Sequence, residues 1–212
     1  MTRVSGMLGL RLEPRPARTL PLFPLRTVLY PGGVLPVKIF EQRYIDMAKH
    51  SLKNEQPFGI CLLTRGEEVA ASGAEQEFAL IGTLATIIHW DMPQLGILHV
   101  TAAGGERFRI TRHRVEKNNL VMADVVPLAP EPAVAMTPEY APLAALLELI
   151  AGRIGAGNFP ADLAYDEGSW VGYRLAEVLP LPLHIKQTML EVSDATIRLK
   201  VLREFLQQQK LI

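Results

Sequence analysis

The chain has 212 residues, a formal charge of zero at neutral pH and one cysteine, Cys61. A chain of this length buries roughly 70% of its unfolded surface, so its core needs neither a metal nor a disulfide, and a reducing, cytoplasmic setting fits a lone thiol. Neutrality removes the general attraction of a basic domain for phosphate backbones and leaves weak homo-oligomerisation open, because self-repulsion is small.

In chain order, residues 1–19 read as a loose leader, since the apolar run Leu8–Leu12 is too short for a secretory signal. Residues 20–126 carry short apolar or alternating runs separated by turn residues, the pattern of a mainly β unit. The expected strands are Leu20–Leu25, Val34–Ile39, Phe58–Thr64, Phe78–Trp90, Leu95–Ala103, Arg107–Val115 and Leu120–Val126, a spacing that favours a closed or nearly closed barrel. Phe40, Tyr44, Ile45, Ala48 and Leu52 recur at helical spacing, so a helix over Glu41–Asn54 is expected to cover one mouth. Pro21, Pro24 and Pro36 belong at edges or bulges because proline gives no ladder hydrogen bond. Pro31-Gly32-Gly33 reads as a turn, and so does Gly104-Gly105.

Pro127, Pro130, Pro132, Pro138 and Pro142 mark residues 127–142 as an extended, semi-rigid connector and the expected first site of limited proteolysis. Residues 143–212 then follow a helical period. One helix carries Leu143, Leu146, Leu147 and Ile150 and ends near Gly155 and Gly157; a second carries Val171, Leu175 and Val178 and stops at Pro180 and Pro182. A third covers Leu183–Val192, and a fourth follows Ser193 as its cap, with Asp194 in its first turn. The fold class is therefore α+β, a mainly antiparallel β unit followed by a C-terminal α-helical bundle.

No run of residues has the chemistry of an enzyme site. A phosphate cradle needs a glycine-rich turn leading into Lys-Ser or Lys-Thr, and none occurs. His50, His89, His99, His113 and His184 lack metal-ligand spacing, although His89 and His99 sit on two arms of one hairpin. Cys61 lies inside an apolar strand, where an inert thiol is expected. Ser5, Ser51, Ser72, Ser169 and Ser193 form no nucleophile elbow. Glu67-Glu68 and Asp166-Glu167 are adjacent pairs, poorly placed to act as acid and base on one bond. No catalytic residue, cofactor or metal is expected, and no apolar run approaches the about 20 residues of a membrane span.

Two features point to binding. Trp90, Met92 and Leu95 place large apolar side chains on a hairpin end that water normally covers, where they either fold back or present a contact surface. Tyr30 and Tyr44 are candidates for the border of the same groove, or pack between strand and helix. Arg107, Arg109, Arg112 and Arg114 form a basic stripe with Phe108 among them, an alternative RNA contact, though Glu106 and Glu116 flank it.

Three stretches resemble the N-terminal domain of Lon-type proteases when taken in order. The first is Leu20-Pro21-Leu22-Phe23-Pro24-Leu25 through Tyr30-Pro31-Gly32-Gly33-Val34 to Val37, of which cereblon carries a related version. The second is Ile81-Gly82-Thr83-Leu84-Ala85-Thr86-Ile87 with Gly104-Gly105-Glu106-Arg107-Phe108-Arg109-Ile110. The third runs from Leu179-Pro180-Leu181-Pro182 through Lys186-Gln187 and Leu190-Glu191 to Asp194-Ala195-Thr196-Ile197-Arg198-Leu199. The resemblance spans residues 20–206 and implies a PUA-like β-barrel followed by a helical bundle, in a region that engages protein substrates. It implies a non-catalytic module that binds unfolded or exposed apolar polypeptide, with a protease or chaperone as partner. The family's ATPase and serine-lysine protease parts have no counterpart in these residues, so cargo delivery is expected to occur in trans. Cereblon's zinc-bearing ligand domain has none either.

Overall fold

The structure is a computed structural model that describes residues 16–68, 76–155, 159–160 and 162–212. Most of the expected leader, Ser5, Ser72 and Gly157 lie outside the described residues. The described elements are β1 Arg18–Leu25, β2 Val34–Ile39, α1 Gln42–Asn54, β3 Phe58–Arg65, β4 Glu77–Gln94, β5 Ile97–Val115, β6 Val121–Pro127, α2 Ala141–Ile154, α3 Gly168–Val178, α4 Leu183–Glu191 and α5 Ala195–Gln208.

Among the described residues there are six strands where the sequence pattern predicts seven. The two expected strands on either side of Gly104-Gly105 are one, β5, and the glycines form no turn. Their purpose is close approach: Gly104 exchanges hydrogen bonds with the Pro31-Gly32-Gly33 turn, donating to the Gly33 carbonyl at 2.8 Å and accepting from Gly32 N at 2.8 Å. A Cβ at Gly104 would overlap the Tyr30 carbonyl oxygen. The long strand β5 consequently serves two sets of partners. Its first half pairs with β2 (Ile39↔Leu98 to Val34↔Ala103) and its second half with β6 (Phe108↔Pro127 to Val115↔Val121), while β4 runs along both.

The sheet order is β2-β5-β4-β3-β1-β6, and β6 also pairs with β5, so the pairing returns on itself. All neighbours are antiparallel except β1 and β3, which are parallel and joined by a crossover through β2 and α1. Leu20, Leu22, Cys61, Leu84, Phe108, Ile110, Val121, Ala123 and Val125 fill one core inside this ring. A second core lies under α1, where Tyr44, Ile45, Met47 and Ala48 meet Phe23, Phe58, Ile39 and Val100. Each such fully buried large side chain contributes about 1.5–3 kcal/mol relative to exposure. Phe40, assigned to the buried face of α1 by its spacing, lies before the helix and is exposed.

The helices bury a core of their own around Leu143, Leu147, Val171, Leu175, Leu199, Leu202 and Leu206. Asp194, not Ser193, caps α5 by accepting from Thr196 N at 2.8 Å. Ser193 is drawn elsewhere, because its hydroxyl accepts from Arg107 Nη2 at 3.3 Å.

That contact belongs to the junction between sheet and helices. Glu131, in the proline-rich connector, accepts from Arg198 Nη1 at 3.0 Å and Nη2 at 2.5 Å and from the Tyr173 hydroxyl, and it lies 3.4 Å from Arg107 Nη1. Arg198 is fully buried, lies 3.7 Å above the Tyr173 ring and donates to the Met189 and Val192 carbonyls. Arg107 reaches from β5 to the Leu190 and Val192 carbonyls at 2.8 and 3.1 Å. Burial pushes the Glu131 carboxyl up, but the hydrogen bonds from Arg198 and Tyr173 and the two guanidinium charges outweigh it and hold the group below the usual carboxylate range. The connector is tied along its length as well: Leu128 N bonds the Arg107 carbonyl at 2.8 Å, and Gly168 N bonds Val134 O at 2.6 Å.

A second tie involves the glycine turn. The Tyr30 hydroxyl donates to Lys186 O at 2.8 Å, Arg174 Nη2 donates to Pro31 O at 3.0 Å, and Gln187 Nε2 donates to Ile81 O at 3.0 Å. Arg174 pairs with Glu177 at 2.9 Å, and the Glu177 backbone oxygen accepts from Lys186 Nζ. Burial pushes the Glu177 carboxyl up to about 7, more than the charges of Arg174 and Lys186 pull it down.

Replacing Glu131 by alanine leaves the buried Arg198 and Arg107 without their carboxylate, and urea unfolding should show a loss of about 3–5 kcal/mol. The same variant should be cut faster within residues 127–142 in limited proteolysis. Because the Glu131 carboxyl is depressed, its stabilisation is present above the unfolded-state value near 4.5 and is lost as pH falls through the folded-state value. Glu177 has the opposite sign. Its raised value makes the fold lose stability as pH rises from about 4.5 to about 7, so Glu177→Gln should flatten the melting-temperature profile over that window, whatever its effect on absolute stability.

Candidate functional site

The first half of β5, together with β2 and the distal half of β4, forms a three-stranded extension. β3 pairs with β4 only as far as Ala85, and beyond that residue β4 has β5 as its strand partner on one side. Cross-strand rows alternate in chemistry. Val37, Val100 and Trp90 form one row on the core side, and Lys38, His99 and Asp91 form the next on the opposite face.

The hairpin closes later than its sequence predicts. Trp90 and Met92 lie within β4, and the turn is reduced to Leu95-Gly96 between the paired Gln94 and Ile97, with Gly96 at φ +85°. Register shifts between Ile87 and His89 and between Asp91 and Gln94 absorb the extra residue and Pro93, so pairing continues past the proline. Trp90 is 54% exposed and Leu95 94%, whereas Met92 is half-buried against the core under α1. Ile88 is 59% exposed and joins this surface. It was absent from the candidates, and the adjacent pair Ile87-Ile88, which breaks strict alternation, was its signal.

Tyr30 and Tyr44 do not reach the surface. Tyr30 packs on Tyr173 with ring centroids 5.4 Å apart, and Tyr44 stacks on Phe23 at 4.2 Å beneath the Arg43 guanidinium. Burial pushes both phenols up, Tyr44 to about 12. Both are core residues and leave the candidate set. The basic stripe is also broken: Arg107 is buried and engaged in the junction, Arg114 pairs with Glu116 at 3.0 Å, and Arg109 and Arg112 are exposed.

His99 lies opposite Asp91 and His89 opposite Thr101, so the two histidines are diagonal neighbours on one face. Among the described residues no group of three metal-ligating side chains converges. Cys61 is buried, and burial pushes its thiol far up, away from a reactive thiolate. A cleft of about 560 Å³ opens at the junction beside Gly105, Trp170 and Tyr173 and is lined by the charged groups Glu106, Arg107, Glu131 and Glu167, of which the last three already hold one another or a helix end. Among the described residues no helix is long and apolar enough to cross a membrane.

The profile of the ATP-dependent protease La (LON) substrate-binding domain matches residues 19–208. Lon protease 2 of Myxococcus xanthus is 27% identical over 92% of this chain and 24% of its own length, and Lon protease 1 of Bacillus subtilis is 26% identical over 91% and 25%. The chain thus spans about a quarter of the length of these curated relatives. The crystal structure of a Lon N-terminal domain protein from Xanthomonas campestris superimposes with a TM-score of 0.70 at 33% identity, covering 88% of this chain and 98% of that one. The N-terminal domain of a Lon protease from the Mycobacterium avium complex shares the fold, with a TM-score of 0.56 at 20% identity over 88% and 97%. With residues 19–208 matched end to end, the chain belongs to the LON substrate-binding domain family.

Proposed function

We propose that this protein is a non-catalytic polypeptide-binding module that engages unfolded or exposed apolar segments in the cytoplasm and acts as an adaptor for a protease or chaperone. The observation that carries the reading is the exposed apolar group Ile88, Trp90 and Leu95 on the β4–β5 hairpin. Side chains of this kind, each covered by a partner, gain roughly 1.5–3 kcal/mol before association costs. We read the ring of strands as a PUA-like barrel over residues 20–126, with residues 143–212 as a helical unit joined through 127–142; the double pairing of β5 supports the first part. The family's description as a substrate-binding domain supports the role, and the match contains no ATPase or protease part.

Changing Trp90 and Leu95 together to serine should weaken binding to an unfolded model protein at least about tenfold, roughly 1.4 kcal/mol. The melting temperature should hold, since both side chains are largely solvated; Met92, which packs inward, is unsuitable for this test. A large drop in melting temperature would show instead that the two residues are packing groups. The purified protein should also show no turnover of ATP or peptide, measured after repeated repurification.

A further inference from the structure

We infer that the distal half of β4 is a docking edge on which an extended polypeptide with alternating apolar and basic residues adds as a further antiparallel strand. The inference rests on the polypeptide-binding reading above and specifies how the segment is held.

Main-chain direction follows from one proline. Pro36 has no N–H, yet it is paired opposite Thr101, so this pair is of the type in which the two residues exchange no hydrogen bonds. Alternation then makes Val37 and Val100 exchange theirs, which turns the N–H and C=O of Val100 toward β2. Trp90 stands opposite Val100 on the other side of β5. With those groups of Val100 already used, the N–H and C=O of Trp90 point away from β5, to the side where β3 stopped at Ala85.

The two edges of the extension differ. On β2 the outward positions are Val34, Pro36 and Lys38, where a missing donor and an exposed charge discourage another strand. At Trp90 itself there is neither a missing donor nor a charge, although exposed Asp91 and Pro93 follow it and register shifts lie on either side. Exposed Ile88 and Trp90 stand beside main chain that no described strand pairs on that side. A row of main-chain donors and acceptors is complemented by another main chain.

Side-chain chemistry sets the pattern of the occupant. A residue that exchanges hydrogen bonds with Trp90 extends the Val37, Val100, Trp90 row and should be apolar. The next residue along extends the Lys38, His99, Asp91 row. It faces the exposed Asp91 carboxylate, and opposite charges are favoured across strands.

The test uses the full chain and a soluble ten-residue peptide of alternating valine and lysine, compared with its valine and glutamate counterpart. The lysine peptide should bind at least tenfold more tightly. Methylating its valine amides, which face Trp90, should lower affinity at least tenfold, whereas methylating the lysine amides, which face solvent, should change it little. Saturating peptide should slow hydrogen exchange at the Trp90 amide, with His89 and Asp91, already bonded to β5, little affected. Equal tolerance of both methylation patterns, an unprotected Trp90 amide, or preference for the glutamate peptide would overturn strand addition. So would failure of both peptides to bind where an unfolded model protein does bind, and the polypeptide-binding reading would then stand without it. If the unfolded protein also fails to bind, both fall together.

Discussion

A carboxylate in the chain's proline-rich connector holds the molecule together. Glu131 sits between Arg107 from the sheet and Arg198 from the last helix, with the Tyr173 hydroxyl as a third donor. Two buried guanidinium groups would be costly to desolvate without it, and each also satisfies carbonyls at the end of α4. The orientation of the helical unit on the sheet is therefore fixed by hydrogen-bond geometry as well as by the apolar contact of Tyr30, Ile81, Tyr173 and Met189. The connector ceases to be a free linker, because its own backbone is bonded to β5 and to the start of α3.

This arrangement separates what is committed from what is available. Arg107, Tyr30 and the Pro31-Gly32-Gly33 turn are used in joining the two parts. The extension built from β2, β5 and the distal half of β4 lies outside that network. Ile88, Trp90 and Leu95 are its exposed large apolar side chains.

Local pattern made most elements legible. The strands β1, β2, β3 and β6, the covering helix and the four C-terminal helices follow from alternation, helical spacing and prolines, because each depends on which side of one segment is apolar. The errors share a cause. Gly104-Gly105 looks like a turn until the Tyr30 carbonyl, distant in sequence, is seen to occupy the space of a Cβ. Ser193 looks like a helix cap until Arg107 claims its hydroxyl. Tyr30 and Tyr44 look available until their ring partners are known. In each case a residue's role is decided by a contact across the chain that no window of sequence contains. For the site, Trp90 and Leu95 were legible as misplaced apolar residues. Ile88 was signalled only by the break in alternation at Ile87-Ile88, because the bulge that turns it outward depends on pairing with β5.

The position of β1 has a consequence for how the protein is made. β1 lies between β3 and β6, and the Thr19 hydroxyl bonds an aspartate, Asp124, that follows it by 105 residues. At synthesis rates of about 5–20 residues per second, β1 waits roughly 5–20 s for its second partner to be made. During that interval one of its edges is open and the core lined by Phe108 and Val125 is incomplete. While it is being made, this chain therefore carries an apolar strand with one edge and one face still uncovered.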